Sequence, residues 1–319
     1  MAKLINQIEG HQDVISKLGD DLRNQKLPSC LLFTGPIGIG KKLVARALAQ
    51  IANCEKKMPY ACGECGSCIR IFKNESEAIF ELKADGHQIK IDDARRAIQF
   101  FDLKNLNASR FLIVDDAELL NIQAANSLLK TFEEPPQNSF VILVTAYPWR
   151  LLATIQSRAV KINFQPLSLS SLRKITPDAP AWILNASYGQ VGRAMDLISW
   201  NTLGLRDKAE KLLTFLKLPV DLSREELRSL IPSREQAPVL LRFLSSLVRD
   251  VIWWHESHCL DGIIHIDRMV WIQDFSSSYQ KNLHALFKGL QDLESHILYN
   301  ADVTLMFEKF FVERSHEPN

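Results

Sequence analysis

The 319-residue sequence contains no long block of like charge: 38 Lys and Arg stand against 37 Asp and Glu, for a net charge of +1. This near-cancellation argues against a generic basic surface that coats nucleic acid, so a DNA role would need local or shared charge. Long apolar runs are also missing. The longest, such as FLIV and FVILV, are strand-sized, whereas a bilayer span needs about 20 residues. The opening MAKLINQIEG lacks the basic-then-apolar pattern of a secretory signal, which leads us to expect a cytoplasmic protein without membrane association. No internal repeat or low-complexity tract is visible, which excludes solenoids and fibres. What remains is an ordinary globular composition, 46% hydrophobic and 24% charged, long enough for roughly two or three domains of 100 to 200 residues.

Cysteine is scarce, and its distribution is uneven. Of six, Cys30 and Cys259 stand alone, while Cys54, Cys62, Cys65 and Cys68 fall in one short segment. A cytoplasmic chain of this size neither needs nor easily keeps disulfides, so the cluster reads as a metal site. Four thiolates at Cys-x7-Cys-x2-Cys-x2-Cys spacing can close a tetrahedral Zn²⁺ site, with backbone N–H groups of the short knuckles facing the sulfurs. With no open coordination position, the zinc would be structural. An iron–sulfur cluster is the rival reading, but here the fourth Cys lies upstream and no Cys-Pro follows. His255, His258 and Cys259 follow Trp253 and Trp254 in an amphipathic stretch and read as packing and surface groups.

Short apolar strands alternate with helical periodicity through the first half: Cys30 to Thr34, Ala78 to Leu82, Phe111 to Val114, Phe140 to Val144 and Val160 to Phe164. Nearly continuous apolar runs of this kind predict a parallel α/β sheet covered on both faces. After Gln165-Pro166 only helical patterns follow, including Leu169 to Ile175, Ala179 to Ser187 and Gly192 to Ser199, then longer amphipathic stretches between Leu205 and Val312. Breakers near Pro166, Gly189 and Pro219 suggest a small helical domain and then a larger one.

Gly35 to Lys42 reads GPIGIGKK, which satisfies G-x-x-x-x-G-K through Gly35, Gly40 and Lys41, with Gly38 between them. By itself the pattern is weak, since glycine and lysine are common. Its context is better: the apolar strand CLLFT precedes it, and Leu43, Val44, Ala47, Leu48 and Ile51 follow at helical spacing. In a working phosphate loop, the backbone N–H groups and the Lys meet the phosphates and a Ser or Thr hydroxyl ligates Mg²⁺. Here Lys42 replaces the hydroxyl and adds a cation near the metal position, so ATP and Mg²⁺ are doubtful ligands, and the loop reads either as a working site or as a relic that keeps its shape. Asp115, at the end of FLIV, stands where an acid would hold the Mg²⁺ water shell. Asp116 takes the place of the Glu that polarises water in hydrolytic relatives and is one methylene shorter. The plainer reading of this acidic pair is a helix cap.

Together, LPSCLLFTGPIGIGKK, the four-Cys insertion, FLIVDDAELL, AANSLLKTFEEPP from Ala124 to Pro136 and ATIQSRAV from Ala153 to Val160 resemble the delta-prime family of bacterial DNA polymerase III clamp-loader subunits, AAA+ relatives of gamma and tau. The resemblance implies a AAA+ core over residues 1–165 carrying the zinc module at 54–68, a helical lid over 166–205 and a helical collar over 206–319 that holds subunits in a ring. It implies that Arg158, in Ser157-Arg158-Ala159, acts as an arginine finger on a neighbour's ATP, although the Cys of the family's Ser-Arg-Cys motif is missing. Thr145 and Arg193 resemble the sensor-1 and sensor-2 positions. Implied partners are the delta and gamma/tau subunits, with the sliding clamp and primer-template DNA reached through the complex. The chain itself would have no intrinsic ATPase activity, although it would be part of a polymerase holoenzyme. Two other readings compete: a gamma/tau-like ATPase motor, against which Lys42 counts, and a zinc-dependent nucleic-acid-binding regulator, against which the balanced charge counts.

Overall fold

The computed structural model describes residues 2–84, 86, 88–102, 108–217, 229–231, 233–279, 281–298 and 302–316. Pro219, one of the expected breakers, lies outside them. The chain forms two compact units. The first comprises Met1–Pro177 with Tyr188–Arg193, and the second Asp178–Ser187 with Ala194–Asn319.

The first unit is built on five parallel strands: β1 (Cys30–Thr34), β2 (Ile79–Leu82), β3 (Arg110–Val114), β4 (Ser139–Thr145) and β5 (Val160–Asn163). Their order across the sheet is β2-β3-β4-β1-β5. Each strand lies within a residue of its expected limits at either end. β3 starts one residue early because Arg110, although charged, is buried there, with its guanidinium donating to the Phe100 carbonyl and lying over that residue's ring. Every residue of β1 and β3 is buried, as continuous apolar runs require when helices cover both faces.

Alternation along the strands divides the core in two. Leu31, Phe33, Phe111, Ile113, Ile142 and Val144 face one side, where α1 (Gln12–Arg23) supplies Ile15 and Leu18, and α2 (Lys41–Ala52) supplies Val44, Ala47 and Leu48. Leu32, Leu112, Val114, Val141 and Leu143 face the other, against Ala94 and Ala97 of α4 (Ile91–Asp102) and Ala124, Leu128 and Phe132 of α5 (Ile122–Glu133). Between α2 and α4 lies the short α3 (Gly66–Phe72), which carries the last Cys of the cluster. At about 1.5–3 kcal/mol for each large apolar side chain fully buried, these layers dominate the unit's stability.

The topology also places the site. β1 lies between β4 and β5, with Thr34 level with Thr145 on one side and Asn163 on the other. The loops leaving β1, β3 and β4 therefore emerge along one edge of the sheet, the carboxyl edge at which open α/β sheets bind ligands.

The second unit is helical. Its central helix, Ala237–Ser257, buries Leu240, Leu241, Leu244, Leu247, Val248 and Val251, a stripe at helical spacing. It packs against Leu205–Phe215, Met269–Ser278 and Leu283–Leu298. Polar groups are buried among these helices. The Asp250 carboxylate, fully buried, accepts from the backbone N–H groups of Ile264 and His265, and the buried Arg206 makes a two-pronged pair with Asp267 at 2.9 and 2.6 Å while lying over the Trp182 ring. No helix among the described residues is long and apolar enough to cross a membrane.

Candidate functional site

The phosphate-type loop leaves β1 through backbone angles that side chains resist. Gly38 sits at φ +71°, and a Cβ there would lie 2.8 Å from the backbone of Gly192. The two glycines are joined by a bond: the Gly192 N–H donates to the Gly38 carbonyl at 3.0 Å. Gly40, at φ +96°, turns the chain into α2 with open space around it. Gly35, Gly38 and Gly40 thus shape a cradle ahead of a helix N-terminus, the arrangement that suits an anion.

The two lysines that follow point in different directions. Lys41 is buried and folds back, its Nζ donating to the carbonyls of Gly35 and Pro36, both at 2.6 Å. Burial pulls its pKa down, although Glu118, Asp116 and Asp115 nearby favour the charged form. Lys42 reaches across to the end of β3, where its Nζ donates to Asp115 Oδ2 at 3.0 Å and also lies 3.1 Å from Glu81 Oε2. Burial works against its charge, but the two carboxylates prevail and raise the pKa. An ammonium thus occupies the space beside Asp115. Asp116 takes a left-handed backbone conformation, and burial together with Asp115 and Glu118 raises its pKa.

Thr145 ends β4 fully buried, with its Oγ1 accepting from the Tyr147 N–H at 2.9 Å. Arg193 follows the glycine that touches the loop, yet its guanidinium lies 5.1 Å from the Tyr188 ring centroid. Arg158 makes its contacts elsewhere. It follows the short helix Ala153–Gln156, donates from Nη1 to the Thr154 carbonyl at 2.8 Å, and is paired with Glu133 at the end of α5. The structure therefore brings together the loop glycines, Lys41, Lys42 and Asp115, places Thr145 on the neighbouring strand end, and holds Arg158 in a separate ion pair.

Three participants were missed by the sequence reading. Glu81 stands within an apolar strand, and a carboxylate inside IFEL is the signal in the sequence that marks it. Gly192 gave no signal, because its meeting with Gly38 is a long-range contact. Gln50, buried on α2, accepts from Leu4 N–H at 2.9 Å and donates to the carbonyls of Ala2 and Cys68 at 2.7 and 2.9 Å, tying the N-terminal segment and the cysteine module to the loop helix.

Cys54, Cys62, Cys65 and Cys68 are all buried, and their sulfurs lie within 4.8 Å of one another, a group that can hold a metal ion. Backbone N–H groups face them: Cys62 donates to Cys54 Sγ at 3.2 Å, and Glu64 and Cys65 donate to Cys62 Sγ at 3.4 and 3.3 Å. The Glu64 N–H in particular lowers the Cys62 pKa to about 6, whereas burial pushes Cys68 up to about 12. Gly63 makes the knuckle possible: at φ +73°, a Cβ would sit 2.6 Å from Lys3 Cγ. His255 and His258 lie on and just after the helix Ala237–Ser257, outside any such cluster among the described residues.

Residues 10–168 match the family model described as DNA polymerase III, delta subunit. The chain is 33% identical over 178 residues to a DNA polymerase III subunit delta′ of Pseudomonas aeruginosa, covering 53% of each protein, and 28% identical over 209 residues to a subunit tau of Bacillus subtilis, covering 63% of this chain and 37% of that protein. It thus spans about half or less of the length of these relatives. A gamma-subunit-related protein from Thermotoga maritima superposes with a TM-score of 0.48 at 16% identity, over 94% of this chain and 98% of that one. The first unit is thus a parallel α/β sheet with a phosphate-type loop at its carboxyl edge, and its residues 10–168 belong to the DNA polymerase III family described as delta subunit, with tau and delta′ subunits of that enzyme among the chain's relatives.

Proposed function

We propose that the chain is the delta-prime member of a clamp loader, assembling with delta and gamma/tau to load the sliding clamp onto primed DNA. The observation that carries this reading is the Lys42 ammonium, 3.0 Å from Asp115. In a hydrolysing loop a hydroxyl and Mg²⁺ would occupy that space, and a fixed cation opposes the metal by like-charge repulsion. The chain would therefore hydrolyse no ATP of its own and would act on a neighbour's. Arg158 is the group suited to that task. Its guanidinium is always charged and can stabilise phosphoryl transfer across a subunit boundary once it exchanges Glu133 for the neighbour's phosphate.

The cysteine cluster supports a structural zinc. A tetrahedral site with Zn–S bonds of about 2.3 Å has sulfurs about 3.8 Å apart, and Cys62 Sγ lies 3.8 Å from Cys68 Sγ. Zinc would cross-link the knuckle to α3, which Gln50 binds to the loop helix. In function the chain would divide into a core of 1–165, a lid of 166–205, whose residues are shared between the two compact units, and a collar of 206–319. Gamma/tau-like catalysis is the competing reading, since tau is among the relatives.

Mg²⁺-ATP turnover by the isolated chain tests the proposal. None is expected; a rate near 1 s⁻¹, about the low end for enzymes, would favour the motor.

A further inference from the structure

Beside the phosphate-type loop, between α2 and β2, lies a cleft of about 470 Å³ lined by Lys42, Arg46, Asn74, Ser76, Glu81 and Lys83 together with Ile71 and Ile79. Its electrostatics are unbalanced. Three cations converge on the single carboxylate of Glu81: Arg46 Nη1 at 2.7 Å, Lys42 Nζ at 3.1 Å and Lys83 Nζ at 3.3 Å. Asp115 shares Lys42 but does not line the cleft, so the wall carries three positive groups against one negative.

Two of the cations are built into the fold. Lys42 and Arg46 are one turn apart on the same face of α2, and Arg46, with only 11% of its side chain exposed, is also fixed by the Ile71 carbonyl at 2.6 Å. Like charges held this close repel one another, and the repulsion is stronger where water is partly excluded. Glu81 has two oxygens and cannot neutralise all three. The lining also includes neutral hydrogen-bonding groups, Asn74 in a left-handed turn and Ser76.

We propose that this cleft is an oxyanion site that takes a phosphate group, separate from the cradle formed by Gly35 to Gly40. A tetrahedral phosphate in front of Glu81 would pair with Lys83 and Lys42, accept from Asn74 and Ser76, and relieve the cation repulsion. Two sources share this chemistry: a free or nucleotide-borne phosphate, and the backbone of a nucleic acid. Lys42 thus has a second consequence, since the residue that excludes the metal from one site supplies a cation to the next. The proposal does not depend on the clamp-loader assignment, because it rests on the cleft alone.

Titration of the full chain with inorganic phosphate at low salt, followed by amide NMR, tests it. Phosphate should shift the amides of Asn74 and Ser76, and Lys83→Ala should weaken binding by about tenfold, about 1.4 kcal/mol. Arg46→Gln should do the same, while Lys83, with 58% of its side chain exposed, gives a variant that is expected to fold. Competition by a single-stranded oligonucleotide at lower concentration than phosphate would identify a nucleic-acid backbone; competition only by phosphate or a nucleotide would identify a small molecule. Either result supports the site. Shifts confined to Gly38 and Gly40, no shift up to about 10 mM phosphate, or binding unchanged by Lys83→Ala would overturn it.

Discussion

Arg158 donates to the carboxylate of Glu133, which lies in the LLKTFEEPP stretch at the end of α5. A segment that carries the family resemblance thus holds the arginine whose role we place on a neighbouring subunit. The pair is partly exposed, with 31% of Arg158 and 45% of Glu133 accessible, and an exposed pair is worth only about 0–1 kcal/mol. Arg158→Ala should therefore leave the folded chain within about 1 kcal/mol of the parent while lowering the ATPase of a reconstituted clamp loader, as losing an arginine finger does by a factor of about 10³ or more. Denaturant melts and steady-state ATPase check the two halves, and an unchanged rate would refute the trans role.

Lys42→Thr removes the ammonium beside Asp115 and restores a hydroxyl at the metal position. Mg²⁺-nucleotide binding to the full chain should tighten by about tenfold, about 1.4 kcal/mol, relative to the parent. Calorimetric titration measures this, and equal affinity would show that Lys42 is not what opposes the metal.

About one zinc per chain should be found by elemental analysis of protein purified without chelator. Cys68→Ser should abolish it and destabilise the first unit by several kcal/mol, since metal-binding energy at such a site is folding energy. Iron in place of zinc would overturn the assignment.

In the second unit, burial lowers the His265 pKa to about 3, with Arg206 adding to the effect. Folding therefore holds this imidazole neutral, its Nε2 2.9 Å from Ser246 Oγ. Below about 6.5 the unfolded chain binds a proton that the folded chain refuses, so stability is lost as pH falls from about 6.5 toward 3. Between pH 7.5 and 5 this single group should cost about 2 kcal/mol. Denaturation at the two pH values measures the loss, and His265→Gln should flatten it.

The strands were legible because burial on both faces leaves an unbroken apolar run, as in CLLFT and FLIV, and such runs stand out without knowledge of their neighbours. The loop glycines and the cysteine knuckles were legible for a related reason: both are local motifs whose spacing is set by the short reach of a few residues. Glu81 could not be assigned a partner from its position, because Lys42 and Arg46 meet it only once β2 is laid in the sheet beside α2. Gly192 was equally hidden, since its bond to Gly38 joins segments far apart along the chain.

The sequence by itself determined the α/β order, the loop, the four-thiol cluster and the substitution at Lys42, all carried by local pattern and residue chemistry. Only the tertiary structure decided where each charge ended. Lys41 turned inward to its own loop carbonyls, Lys42 outward to Asp115 and Glu81, and Arg158 to Glu133. Ion pairs and hydrogen bonds act over about 3 Å, so partners cannot be chosen until folding has brought distant segments to that distance.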